Sequence, residues 1–153
     1  MNTLTRRSFV QIAGTGLVAA QRAVAQDKEE IGLVRHAVIG TGGQGHSHLR
    51  AFSSFDDCHV VAICDLDPER RAHAVEEASK KAEARGYDDY REVLNDPTIH
   101  SVSIATPDHW HTPVALAALA AGKHVYVEKP CCHNVQEGMV LMEAAEKTGL
   151  CVQ

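Results

Sequence analysis

"VIGTGGQGHSH", residues 38 to 48, carries glycines at 40, 42 and 45 in G-x-G-x-x-G spacing. Three glycines alone fit many loops. Here they follow a short apolar strand (Ala37–Ile39) and open an expected helix over His46–Ser53, and Asp65 stands twenty residues after Gly45. Gly40 permits a tight turn, Gly42 lets a pyrophosphate approach the backbone, and Gly45 lets the helix pack on the strand. Thr41, Gly43 and Gln44 complete the turn, and the helix N-terminus offers free N–H groups to phosphates. Asp65 is expected to accept hydrogen bonds from both ribose hydroxyls and to repel a 2′-phosphate. NAD is therefore expected, with NADP left open through Arg70 or Arg71.

Outward from this turn the pattern alternates. "HVVAICD" (His59–Asp65), "SVSIAT" (Ser101–Thr106) and "HVYVE" (His124–Glu128) are short apolar strands. Between them lie a helix that starts at Asp67 and Pro68 and stops at Gly86, a short helix presenting Tyr90, Val93 and Leu94, and an alanine-rich helix closed by Gly122. A last helix, Gln136–Gly149, leads into "LCVQ", the start of a fifth strand. Strands alternating with helices, and buried on both faces, imply a doubly wound parallel α/β sheet of the Rossmann type. The sequence stops at Gln153, where such a domain would continue, so it is read as truncated and lacking a C-terminal α/β substrate domain.

Composition fits one globular domain: 153 residues, 44% hydrophobic and 23% charged. A net charge of -5 without a basic run excludes a nucleic-acid surface. Residues 1–25 read separately. "TRRSFVQ" (Thr5–Gln11), a weakly apolar run and "AVA" (Ala23–Ala25) resemble a twin-arginine signal, too short and polar for a stable membrane span. Export to the periplasm is expected, with residues 26–33 as linker and 34–153 as the nucleotide-binding domain. The cysteines (58, 64, 131, 132 and 151) lack CxxC spacing, so no disulfide framework is expected.

Two further polar clusters fall at strand carboxyl ends, where ligands of parallel sheets sit. "ATPDHWH" (Ala105–His111) places Thr106, Pro107, His109 and His111 there, with Trp110 as packing or a cofactor wall and Asp108 as a helix cap. His109 and His111 supply only two metal ligands, and no metal is expected. "EKP" ends the next strand with Glu128, Lys129 and Pro130, and a cis bond is expected between Lys129 and Pro130. His46 and His48 are expected to be surface or helix-packing residues.

"GTGGQG", "CDLDPER", "ATPDHWHTPVALAALAAGKHVYVEKP" and "CHNVQEG" together resemble the N-terminal half of a Gfo/Idh/MocA-family oxidoreductase. The resemblance implies a second domain that forms a sugar or polyol pocket and homo-oligomer contacts. It implies that Lys129 is the catalytic amine beside the nicotinamide, that Glu128 lies near its ribose, and that the substrate is a CH–OH compound. "CC" at 131 and 132 departs from the family, where leucine is more usual first, and is read as packing. Three functions follow: hydride transfer to a nicotinamide cofactor, glycoside cleavage through transient oxidation by bound NAD, or a dinucleotide-binding fragment without activity.

Overall fold

The computed structural model describes residues 32–153; the expected export signal and most of the linker lie outside the described residues. Five strands form one parallel sheet: β1 (Val34–Ile39), β2 (Cys58–Cys64), β3 (Arg85–Tyr87), β4 (Ser101–Ile104) and β5 (His124–Val127). Their order is β3-β2-β1-β4-β5, with every pair parallel. Chain order reverses between β1 and β4, which opens a crevice at their carboxyl ends. The helices are α1 (Gly43–Ser54), α2 (Pro68–Ala78), α3 (Tyr90–Asn95), α4 (His111–Ala120) and α5 (Val135–Thr148), with a 3-10 turn at Asp108–Trp110.

Alternation along the strands builds two cores. Ala37 and Ile39 of β1 join Val61, Val102, Ile104, Val114 and Leu119 on one face. Val38 joins Leu49, Val60, Ile63 and Ala74 on the other. Both sides of β1 are thus covered by helices, which is why its second half, Ala37–Ile39, is a run of apolar residues. Helix ends follow local chemistry. Asp67 accepts from the amides of Glu69 and Arg70, and Pro68 occupies the first turn. Asn134 caps α5 through the Glu137 amide, and Gly149, with φ of 65°, closes it.

Several boundaries differ from the sequence reading, β1 among them, which begins at Val34 and not at Ala37. α1 begins at Gly43, three residues before His46. Gly86 does not stop a helix: α2 ends at Ala78, and Gly86 lies within β3. A Cβ at Gly86 would come within 3.2 Å of the Arg71 and Val75 side chains, so this edge strand runs tight against α2. The predicted fifth strand is a single parallel bridge, Val152 to Val125, supported by Val125 N–H donating to Cys151 O at 2.9 Å.

β1 also carries a polar residue into the core. His36 is 1% exposed, stacks on Phe52 at 3.8 Å between centroids, and its Nδ1 lies 2.8 Å from Ser101 Oγ. Burial, reinforced by His48, pushes its pKa down from 6.5 to about 3. The folded state keeps the ring neutral, while the unfolded chain takes up the proton below about 6.5. Stability is thus complete above that value and lost as pH falls toward about 3. Between pH 7 and 5 the loss amounts to about 2 kcal/mol. We expect the urea midpoint to fall accordingly, and His36→Gln, which keeps a partner for Ser101, to flatten that dependence. An unchanged slope in the variant would show that His36 is not its source.

Candidate functional site

The glycine turn is fixed by backbone contacts. Gly40 has φ of +85°, and a Cβ there would meet Ala105 O at 2.7 Å; a Cβ at Gly45 would meet Gly40 O at 1.7 Å. These two glycines let β1, α1 and the end of β4 converge. Gly42 and Gly43 behave differently: a Cβ on either meets nothing within 4 Å. Gly42 lines the groove at the strand ends, so its open side leaves room there. α1 has no side-chain cap and no acidic residue in its first turn, while α2, α3 and α5 are capped by Asp67, Asp89 and Asn134. The uncapped α1 N–H groups and the open glycines suit a pyrophosphate.

Asp65, at the end of β2, ties to this turn. Its Oδ2 accepts from the Thr41 amide at 2.7 Å and from the Thr41 hydroxyl at 2.8 Å. Oδ1 accepts from the Asp67 amide at 2.9 Å and lies 3.7 Å from Arg70 Nη2. Burial pushes the Asp65 pKa up, but hydrogen bonds from the Thr41 and Asp67 amides and the Thr41 hydroxyl outweigh it and hold the carboxyl below its usual range. Oδ2 is already filled by Thr41, and Oδ1 retains the free capacity. Thr41, 4% exposed, supports Asp65 from within.

A groove of about 650 Å³ opens at the crevice, lined among others by Gly40, Gly42, Asp65, Thr106, Pro107 and Trp110. Trp110 thus forms part of the groove wall. Leu66 and Tyr90 also line it and were not assigned to the cofactor from sequence, and so does Arg70, one of the two arginines through which a 2′-phosphate was left open. Gly43, Gln44, His109, Glu128, Lys129 and Pro130 lie outside that lining. Asp108 starts the 3-10 turn without a side-chain cap bond, correcting its reading as a cap.

At the end of β5, Glu128 is held by three donors. His48 Nε2 lies 3.0 Å from its Oε1, Gln44 Nε2 3.3 Å from the same oxygen, and the Lys129 amide donates to Oε2 at 3.0 Å. The His48 bond is the main cause that lowers the Glu128 pKa. His48 was read as packing, and it is buried, yet it also orients this carboxylate. Its place four residues after Gln44 puts both on one side of α1, which is the signal that could have found it. Lys129 is exposed, and its ammonium makes no hydrogen bond or ion pair among the described residues. The Lys129–Pro130 bond is cis, as expected.

His111 does not face the groove. It is 3% exposed; Nδ1 lies 2.7 Å from Pro130 O and Nε2 2.8 Å from Thr106 O. A ring with one proton can donate to only one of these carbonyls at a time. The residue expected to bind cofactor instead fastens the β4 loop to the β5 loop. All five cysteines are free thiols; burial first, then Asp65, pushes Cys64 up to about 12, which keeps it inert.

With this geometry in place, residues 34–153 match the family described as "Oxidoreductase family, NAD-binding Rossmann fold". The chain belongs to the Gfo/Idh/MocA family. Its nucleotide is a nicotinamide dinucleotide, and the open glycines and uncapped α1 fit one. An alpha-N-acetylgalactosaminidase from Shewanella oneidensis is 34% identical over 97% of this chain and 38% of that protein. The chain thus spans about 38% of the length of that curated relative. The WlbA dehydrogenase from Chromobacterium violaceum, solved with NADH and UDP-GlcNAcA, has a TM-score of 0.73 at 27% identity, covering 79% of this chain and 34% of that one. An NAD binding oxidoreductase from Klebsiella pneumoniae has a TM-score of 0.69 at 33% identity, over 79% and 34%.

The two kinds of glycine separate by experiment. Gly42→Ala, whose Cβ meets open space, is expected to leave the thermal midpoint within a few degrees and to weaken NAD binding at least about tenfold, or 1.4 kcal/mol. Gly45→Ala is expected to destabilise the fold itself. Equal NAD affinity in Gly42→Ala, read by NADH fluorescence titration, contradicts the assigned pyrophosphate path.

Proposed function

We propose that this chain is the nucleotide-binding part of an NAD-dependent oxidoreductase that acts on a hydroxyl of a sugar or related polyol. The observation that carries this reading is an unpartnered Lys129 ammonium at the end of β5, beside a carboxylate tied to the phosphate-binding helix through Gln44 and His48. Bound NAD supplies the hydride acceptor. Gly40, Gly42 and the α1 amides hold the pyrophosphate, and Asp65 Oδ1 takes a ribose hydroxyl. Lys129 Nζ would donate a hydrogen bond to the reacting oxygen and stabilise the negative charge that develops on it as its proton passes to solvent water. Glu128 stays ionised and fixes the ribose side of the pocket.

The Asp65 carboxylate, held ionised by Thr41 and Asp67, supports NAD over NADP through repulsion of a 2′-phosphate. Arg70 is the counterweight, since its guanidinium lies on the same groove. Export through a twin-arginine route supports tight retention of the nucleotide, because free NAD is scarce outside the cytoplasm and that route carries folded proteins. No helix among the described residues is long and apolar enough to cross a membrane. A substrate domain joined to this one would complete the pocket and supply homo-oligomer contacts.

A second reading is favoured by the relatives named alpha-N-acetylgalactosaminidase and glycosyl hydrolase family 109 protein. In it the same Lys129 serves a transient oxidation of a sugar carbon, the hydride returns within the turnover, and a glycosidic bond is cleaved without net redox change. Product analysis separates the two: accumulating NADH marks dehydrogenation, and released sugar without NADH marks cleavage.

Two measurements test the shared core. This chain is expected to bind NAD at least about tenfold more tightly than NADP, with Asp65→Asn narrowing the gap; equal affinities for the unaltered chain would remove the preference. In a protein that joins this domain to a substrate domain, Lys129→Met is expected to lower kcat at least about hundredfold. NAD affinity should change less than about threefold. Turnover that survives within threefold removes Lys129 from the chemistry.

A further inference from the structure

α1 and α2 lie side by side, and between them stand three side chains that the nucleotide groove does not use. His46 comes from α1; His73 and Glu77 come from α2, four residues apart and so on one face of that helix. His46 Nε2 lies 3.0 Å from Glu77 Oε2. The His46 and His73 rings stack with centroids 5.6 Å apart and planes inclined by 30°. One ligand atom from each of the three residues lies within 4.8 Å of the others.

We infer that His46, His73 and Glu77 form a three-ligand site for a divalent transition ion, with Zn²⁺ the best match. A four-coordinate zinc with bonds of roughly 2.0–2.1 Å holds its ligands roughly 3.3 Å apart. The His46–Glu77 pair is already near that spacing. His73 has to close by about 1.5 Å at most, a shift open to an exposed side chain in another rotamer. The donor set of two imidazoles and one carboxylate suits zinc better than magnesium or calcium, which take oxygen ligands. A simple ion pair explains His46 against Glu77, but it gives the second ring no role. A cation uses all three groups and leaves its fourth position to water.

Arg50 sets the strength of the site. Its Nε donates to Glu77 Oε1 at 3.2 Å, which leaves Oε2 toward the two histidines. That bond orients the carboxylate, while the guanidinium charge opposes a nearby dication. The outcome is an affinity in the micromolar range, weaker than that of a closed structural site. Bound metal would clamp the helix that carries the phosphate-binding turn to the helix that follows Asp65.

The test is a Zn²⁺ titration of the chelator-stripped 153-residue chain against a chromophoric competitor. One ion per chain is expected, with a dissociation constant of about 1–10 μM. His73→Ala and Glu77→Gln are each expected to weaken it at least about tenfold. His109→Ala and a Cys131→Ser/Cys132→Ser double variant should leave it within twofold, since those groups lie elsewhere. Cobalt substitution gives a readout that needs no variant: visible bands of a four- or five-coordinate ion, discharged by zinc, support the site. The spectrum of the hexa-aqua ion overturns it. So does binding unchanged in both His73→Ala and Glu77→Gln, or no binding tighter than about 100 μM.

Discussion

The rest of the molecule depends on one close approach, the meeting of Gly45 with the carbonyl of Gly40 and of Gly40 with the carbonyl of Ala105. A Cβ at either glycine would overlap backbone, at 1.7 Å and 2.7 Å. Backbone does not yield as the tip of a lysine does, so side chains are barred there. That contact sets the direction in which α1 leaves β1, and with it the aim of the α1 amides at the crevice. The ladder continues to the same edge: the Gly40 amide donates to Cys64 O at 2.8 Å, and the Ala105 amide to Ile39 O at 2.9 Å. β2, β1 and β4 are therefore locked together where the nucleotide binds. Thr41 and Asp65 close the turn from the β2 side, so its shape exists before any ligand arrives, which spares the ordering cost of binding.

The two outer loops need other fasteners, because the sheet ladder ends at the amides of Ala105 and Glu128, which donate to Ile39 O and Ile104 O. His111 joins the carbonyls of Thr106 and Pro130 across them. Thr112 adds a hydroxyl donor to Cys131 O at 3.2 Å. Both residues are buried in the first turn of α4, so one helix end anchors both loops. Glu128 is fixed from the opposite side by α1. The position of Lys129 thus follows from two helices and not from its own strand alone. This explains how an exposed residue can still have a defined backbone.

What could be read from sequence divides along physical lines. The glycine turn, the apolar runs of β1, β2, β4 and β5, and the Asp67–Pro68 start were legible because local chemistry decides them. β3 was not: Arg85, Gly86 and Tyr87 carry no apolar run, and pairing with Ala62, Ile63 and Cys64 makes them a strand. Arg35 and His36 hid the first half of β1 in the same way. For the site, the residues of the turn were singled out through spacing, and Glu128 and Lys129 through position and family resemblance. The roles of His48 and His111 were hidden because their partners are 80 and 19 residues away. Only the folded sheet brings those pairs together. Asp65 was found, but its prior commitment to Thr41 was invisible, since a hydroxyl 24 residues away leaves no local mark.

Binding and chemistry place different demands on this edge. In the proposed binding mode, pyrophosphate recognition rests on backbone amides and rigid glycines, which the chain supplies in finished form. Lys129 is different, because its amine stands in water. At about 4 Å a unit charge is worth about 1 kcal/mol in bulk water and about 4 kcal/mol at an effective dielectric of 20. The same ammonium therefore gains several-fold in electrostatic effect once water is excluded around it. Nothing among the described residues covers it, while Glu128 beside it is held ionised by His48. The physical consequence is a division of labour. This domain presents a nucleotide-binding edge, and in the proposed reaction the electrostatic effect of the Lys129 amine depends on how far water is excluded around it.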